Sequence, residues 1–304
     1  MNQNPKDTLQ LKDKAIKSAE SVAAIRAFGV YDVEAKNPDH LSNNFLGIKF
    51  RIRLWSFKYF SKLIKRKLEN LYPGLYWYFQ VRTKHIDSLL VKAIDVGIEQ
   101  LVILGAGYDT RPYRFQEKLA DVSIFEVDFP GTQNFKINKL KKLYGSLPEH
   151  VVYVPIDFNT QSIETELTIK GYDPTKKTFF IWEGVSYYLP EKSVNRVLKF
   201  VKNNMSPDSS IVFDYVLRSF IDGDYSSYGS KILSESWEKA GEPGLFGIED
   251  TAINHFLNKR GLKIISDIGP KELECSYATG QNGKQYGRVW GCMRISQASV
   301  CNKK

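Results

Sequence analysis

Four acidic residues follow four short apolar runs in this chain: Asp109 comes after LVIL (101–104), Asp128 after VSIFEV (122–127), Asp157 after VVYVP (151–155) and Glu183 after TFFIW (178–182). A single loop charge is ordinary, but an acid after each of four successive runs is hard to obtain by surface decoration alone. Asp109 also stands inside a glycine turn, Gly105-Ala106-Gly107-Tyr108-Asp109-Thr110. Glycines one residue apart accept the positive φ values and the close backbone approach that a tight strand-to-helix turn needs. A turn built for a dinucleotide reads GxGxxG and offers its helix-terminal amides to a pyrophosphate. Here Thr110 replaces the third glycine, and a carboxylate at Asp109 would repel a diphosphate at a cost on the order of kcal/mol in a partly buried site.

The pattern suits a cationic ligand without phosphate. S-adenosylmethionine, with an ammonium and a sulfonium, is one, and the acids can be assigned to its parts. Asp128 lies about twenty residues beyond the glycines, the spacing at which a carboxylate takes ribose hydroxyls. Glu126 faces the same way on an extended chain, but Asp128 is nearer the strand's end and is preferred. Asp157 is placed to accept from the adenine amine while Phe158 packs on the ring. Glu183 falls beneath the cofactor, with Tyr187 and Tyr188 towards the acceptor. The carboxylates are scattered and lack a His/Asp cluster with ligand spacing, so no metal is expected. His40, His85, His150 and His255 all read as structural or solvated. That modestly favours a carboxylate acceptor, already ionised at neutral pH. A hydroxyl acceptor would need a base, which Tyr or Asp could supply.

These residues must be held by a sheet. After Gln100 short apolar runs alternate with helix-length amphipathic stretches, as in NFKINKLKKLYG and EKSVNRVLKFVKNNM, which implies a parallel sheet covered on both sides. Two further strands are expected at SIVFDYV (210–216) and LKIISDI (262–268), and a last one at RVWGCMRI (288–295). The last two, joined by a polar loop with no convincing helix, are expected to pair antiparallel. SQASVCNKK reads as a frayed tail. Residues 1–75 form a helical cap and 76–304 the catalytic domain, with a lid-like insertion over about 217–247. In WSFKYFSKLIKRKLENL, Phe57, Phe60, Ile64, Leu68 and Leu71 recur at helical spacing, with Lys and Arg on the other face and Pro73-Gly74 as the stop. A second helix begins near Tyr76, with Gly97 as its C-cap.

Of 304 residues, 42% are hydrophobic and 25% charged, which excludes disorder as the main theme. The net charge of +9 is concentrated between Lys49 and Lys67. That stretch reads as a solvated helix face, with nucleic acid or an anionic membrane as the alternative partner. Three cysteines without CxxC spacing, no apolar leader and no membrane-length run point to a cytoplasmic protein.

The blocks VRTKHIDSLLVKAIDVGIEQLVILGAGYDTRPYRF, FEVDFP, WEGVSYYL and GEPGLFGIEDTAINHFLNKRGLKIISDIG occur in this order over roughly residues 76–295. They resemble the leucine carboxyl methyltransferase family, above all its bacterial branch of S-adenosylmethionine-dependent O-methyltransferases. The resemblance implies an α/β, Rossmann-like class I methyltransferase sheet of seven strands with an antiparallel last strand. The N-terminal helices and the insertion between strands five and six then cover the acceptor site. It implies that Arg82 pairs with the methionyl carboxylate of the donor, a contact to which a guanidinium is suited. It further implies that Gly105 contacts the donor, Asp128 holds its ribose, Asp157 and Phe158 its adenine, and that Glu183 lies near its ammonium. Arg111 completes the DTR block, as a contact or as a brace. The expected activity is methyl transfer from S-adenosylmethionine to a carboxylate or hydroxyl of a small-molecule acceptor, with no nucleic-acid partner. Alternatives are a nicotinamide-dependent oxidoreductase and methylation of a protein C-terminus. The stretch YDVEAKNPDHLSNNFLG and the tyrosine-rich insertion depart from the usual bacterial pattern, and both belong to the regions that shape the acceptor pocket.

Overall fold

The computed structural model describes residues 5–157 and 161–300, with side chains from residue 17 onward. Helices α1 (Pro5–Val30), α2 (Ile48–Leu71) and α3 (Leu75–Asp95) precede strand β1 (Gln100–Leu104). Then follow α4 (Arg111–Arg114), β2 (Ser123–Asp128), α5 (Pro130–Tyr144), β3 (Val151–Pro155), α6 (Ile163–Ile169), β4 (Thr178–Trp182), α7 (Glu191–Asn204) and β5 (Ser210–Val216). The chain continues through α8 (Arg218–Ile221), α9 (Ser230–Ala240), α10 (Ile253–Asn258), β6 (Leu262–Ile268) and α11 (Pro270–Tyr277) to β7 (Met293–Val300).

The strands form one 7-stranded sheet in the order β3-β2-β1-β4-β5-β7-β6. Neighbours from β3 to β5 run parallel, whereas β7 is antiparallel to both β5 and β6. Both faces of the central strands are covered, which is why they are apolar throughout rather than alternating with polar residues. In β1, Leu101 and Ile103 join the core beneath α1, α2 and α3, while Val102 and Leu104 join the core on the side of α6, α7 and α10. Strand order reverses between β1 and β4, so the loops after these two strands flank the crevice where ligands of open α/β sheets bind.

Two expectations at the C-terminal end need correction. The last strand begins at Met293 rather than at residue 288, and it continues through the supposed tail, where Ser296 and Ala298 are fully buried. Polar residues hid this strand. Ser296 satisfies its hydroxyl on the Ser266 carbonyl at 3.2 Å, so it can be buried without loss. The apolar segment before it folds irregularly, burying Val289, Trp290 and Cys292 while the Gly291 N–H donates to the Tyr228 carbonyl at 2.9 Å. The link between β6 and β7 also contains a helix, α11, which opens on Pro270 with Glu272 closing back on the Gly269 N–H at 3.2 Å.

Candidate donor and acceptor site

A cavity of about 510 Å³ lies over the carboxyl ends of β1, β2 and β4. Arg82, Gly105, Ala106, Gly107, Asp109, Asp128, Asp157 and Glu183 all line it. Phe158 lies outside the described residues. Tyr188 lines the cavity too, while Tyr187 sits behind it, buried and stacked on Trp237 with ring centroids 5.0 Å apart.

The glycine turn is fixed by sterics. Gly105 has φ +71°, and a Cβ there would meet Val185 Cγ2 at 2.4 Å. Its N–H and that of Ala106 donate to the Val127 carbonyl at 2.8 and 3.0 Å, which ties the turn to the end of β2. Asp128 completes the tie, its carboxylate accepting from the N–H of Gly107 and of Phe129, both at 2.6 Å. Burial pushes the Asp128 carboxyl up to about 6, against those two amides, which lower it. Glu126, the other candidate for ribose, is fully buried against Lys136 at 2.7 Å and does not line the cavity.

The charges around the turn form an alternating network rather than an acidic patch. Arg82 is 3% exposed, with Nη1 donating to Asp214 at 2.7 Å and Nε 3.0 Å from a Glu183 oxygen. Arg111 Nη1 donates to the other Glu183 oxygen at 2.8 Å and to Asp109, while its Nε donates to Asp87 at 2.7 Å. Arg114 takes Asp87 in a fork, and Arg26 of α1 pairs with Asp39 at 3.1 Å and donates to the Tyr108 carbonyl at 2.7 Å. Burial works to raise the Asp109 carboxyl, but the Arg111 guanidinium outweighs it and holds the group down at about 2. Burial opposes ionisation of Glu183 as well, and Arg111 and Arg82 together keep it below the usual range. Asp109 is therefore ionised yet neutralised within the wall. It is a bracket for Arg111 more than a free charge aimed at a cation, which corrects the purely electrostatic reading of the turn.

Sequence reasoning missed several residues of this network. Asp214 is fully buried on β5 and accepts from Arg82, from the Tyr78 hydroxyl at 2.9 Å and from the Gly184 N–H at 2.7 Å. Its signal was a lone acid inside SIVFDYV. Ser18, Val22 and Arg26 of α1 and the 241–245 segment of the insertion also line the cavity, and nothing in their local spacing announces it. Of the histidines, His85 turns towards Tyr277 (Nδ1 to hydroxyl 3.1 Å), burial lowers its imidazole to about 4, and His40 and His255 are exposed.

A second chamber of about 1030 Å³ adjoins the first and shares Ser18, Val22, Tyr188 and Glu242 with it. Helices α1, α2, α3 and α9 wall it with Phe28, Phe50, Ile64, Leu68, Phe79 and Trp237, among others. The exposed Lys17, Arg53, Lys67 and Lys239 stand at its mouth. No histidine lines either chamber among the described residues.

A doubly covered sheet with a reversed β7 and a glycine turn at its switch point defines a Rossmann-like methyltransferase. Two solved structures share the fold. A DUF574 family protein of Streptomyces avermitilis has TM-score 0.55 at 12% identity, covering 79% of this chain and 90% of that one. A structure from Thermobifida fusca YX, described as that of "a putative methyltransferase", has TM-score 0.53 at 13% identity, covering 79% and 87%. At those identities they speak for the fold alone. The model of the leucine carboxyl methyltransferase family matches residues 19–202, and the chain belongs to that family. It is 32% identical over 224 residues to a Bacillus subtilis (strain 168) protein named "Putative S-adenosyl-L-methionine-dependent methyltransferase YktD", covering 71% of this chain and 73% of the relative. A relative of the same description from Mycobacterium avium (strain 104) is 30% identical over 150 residues, and the match spans 47% of its length. The chain is an S-adenosylmethionine-dependent methyltransferase, and the nicotinamide alternative is not favoured.

The residues present fit the donor. The Thr132 hydroxyl is buried without a hydrogen-bond partner, and Thr132 lines the first cavity together with Arg82 and Glu183. Buried donors left open in this way are costly and call for a ligand.

Proposed function

We propose that this chain transfers the methyl group of S-adenosylmethionine to an oxygen of a small, largely apolar acceptor, a carboxylate before a hydroxyl. The first cavity is the donor site and the second the acceptor site. What carries this reading is the adjacency of the two chambers, the first lined by Arg82, Asp109, Asp128 and Glu183, the second by Phe28, Phe50, Phe79 and Trp237, with Tyr188 in the wall of both.

When bound, S-adenosylmethionine supplies an electrophilic methyl on a sulfonium. Arg82 would hold its carboxylate with a charge-assisted bond, and Glu183 would balance its ammonium. Asp128 would accept from the ribose hydroxyls, and Asp157 would take the adenine amine. The glycine turn lets the backbone approach closely enough for these contacts to act together. In-line attack requires the acceptor oxygen opposite the sulfur, so alignment and exclusion of water supply much of the rate, several kcal/mol of the barrier. The walls of α1, α2 and α9 provide that exclusion.

Among the described residues no histidine lines either chamber, which favours a carboxylate acceptor. Burial raises the Tyr188 phenol far above neutrality, with Glu242 adding to the shift, so Tyr188 donates a hydrogen bond at neutral pH and does not act as a base. A carboxylate nucleophile needs no base.

The test is titration calorimetry with S-adenosylmethionine, followed by a methyl-label screen of apolar carboxylic acids and their hydroxyl counterparts. Saturable donor binding with label incorporated into acids as base-labile esters is the expected result. Label found only in polar or phosphorylated acceptors would contradict the apolar acceptor site.

A further inference from the structure

Helix α2 has two apolar faces, and only one is covered. Inward, Leu54 and Phe57 are buried, and Phe57 stacks on Phe28 with centroids 4.9 Å apart. Outward, Ile48, Ile52, Trp55 and Tyr59 follow one another at spacings of four, three and four, which keeps them on one side of the first part of α2. The helix is kinked at Phe60 (φ −121°, ψ 30°), and Leu63 stands exposed beyond the kink. The four are 72%, 60%, 62% and 69% exposed, and Leu63 68%. Scattered exposed apolar residues are normal, but a contiguous stripe marks an interaction surface.

The borders of the stripe say what covers it. Between Ile48 and Leu71 the chain has eight Lys or Arg and a single acid, Glu69. Lys65 turns inward to Asp32 and Glu34. Before the kink, helical spacing sets the exposed Arg51 and Lys58 along one border and the exposed Lys49 along the other, and the exposed Lys62, Arg66 and Lys67 follow beyond it.

We propose that the outward face of α2 docks this protein on anionic membrane surfaces, its apolar stripe entering the headgroup–acyl boundary and its basic borders meeting the lipid charges. An amphipathic helix with aromatic and aliphatic residues on one face and Lys/Arg around it is the form that lies in that interface. A second copy is a poorer occupant, because a self-complementary pairing would bring like basic borders together. Single-stranded RNA is poorer too, because Ile48, Ile52 and Leu63 offer no ring for base stacking. The attachment is peripheral: no described helix is long and apolar enough to cross a bilayer. Ile52 and Arg53 also line the second chamber, so the docked helix is one of its walls. The docking stands whether or not the acceptor reading holds.

Trp55 is a built-in reporter. It is the exposed one among the five tryptophans, the other four being at most 8% exposed. The experiment is flotation of the full chain with vesicles of phosphatidylcholine alone or mixed equally with phosphatidylglycerol, with tryptophan emission followed in parallel. Expected are binding to the anionic vesicles only, weakening with salt, and a blue shift of emission that Trp55→Phe lacks. The pairs Trp55→Ser/Leu63→Ser and Lys62→Glu/Arg66→Glu should each lower vesicle affinity roughly tenfold or more. Melting temperature and donor affinity should stay as in the parent, which separates lost docking from lost folding. Failure to float, equal binding to neutral vesicles, or a blue shift that survives Trp55→Phe overturns the proposal. So does a concentration-dependent dimer that Trp55→Ser dissolves, which would assign the face to a second copy.

Discussion

Arg82 lies between Glu183 and Asp214 and also lines the first cavity. It therefore serves both the fold and the ligand, and the choice of substitution decides which role is seen. Arg82→Ala leaves two buried carboxylates each short of a partner, a loss on the order of 3 kcal/mol, so thermal denaturation should show a destabilised protein before any binding is measured. Arg82→Lys keeps the charge but loses the planar fork. It should retain most of the melting temperature while donor affinity, read by calorimetry, falls roughly tenfold. Unchanged affinity in that variant would remove Arg82 from the donor site. Asp128 gives a pH signature. Its carboxyl is pushed up to about 6, and only the ionised form accepts from a hydroxyl without also donating, so donor affinity should fall as pH drops through about 6. In Asp128→Asn the affinity should be lower at neutral pH, and this step should be absent. Most of these positions were legible because acids after apolar runs and glycines in a turn are local patterns. Asp214 and Arg26 were not, because their partners lie 132 and 82 residues away in sequence.

At the scale of elements, the strands from β1 to β5 were legible because both faces of a covered parallel strand must be apolar, and such runs stand out. Strand β7 was obscured because hydrogen bonds across the sheet compensate its buried serine, and the apolar segment before it was the better decoy. Helix α9 brings part of the insertion to the wall of the second chamber. Its Trp237 stacks on Tyr187, lies 5.1 Å from the Tyr188 ring and lines the second chamber but not the first. Trp237→Ala removes a large buried side chain, costing about 3–5 kcal/mol. Because the donor cavity does not use it, donor affinity should change little while the KM for an apolar acceptor rises. Steady-state kinetics with calorimetry on the same variant distinguishes this from a general loosening, in which both would suffer.

At the scale of the whole molecule, the sheet separates two cores; the second chamber lies on the side of α1, α2 and α3, while the first sits over the strand ends and takes Ile103 from one core and Ile156 from the other. If the chambers are separate sites in one cooperative body, each ligand stabilises the fold by mass action through its own term. Donor at one hundred times its Kd should contribute about 2.7 kcal/mol, a rise of roughly 5 °C in melting temperature for a chain of this size. An apolar carboxylate that fills the second chamber should add its own increment, and the two should sum in a thermal shift series run with each ligand alone and both together. NADH should add nothing. A carboxylate that cancels the donor's increment instead of adding to it would be competing for the first cavity, and the assignment of the second chamber to the acceptor would then fail while the donor site remained intact.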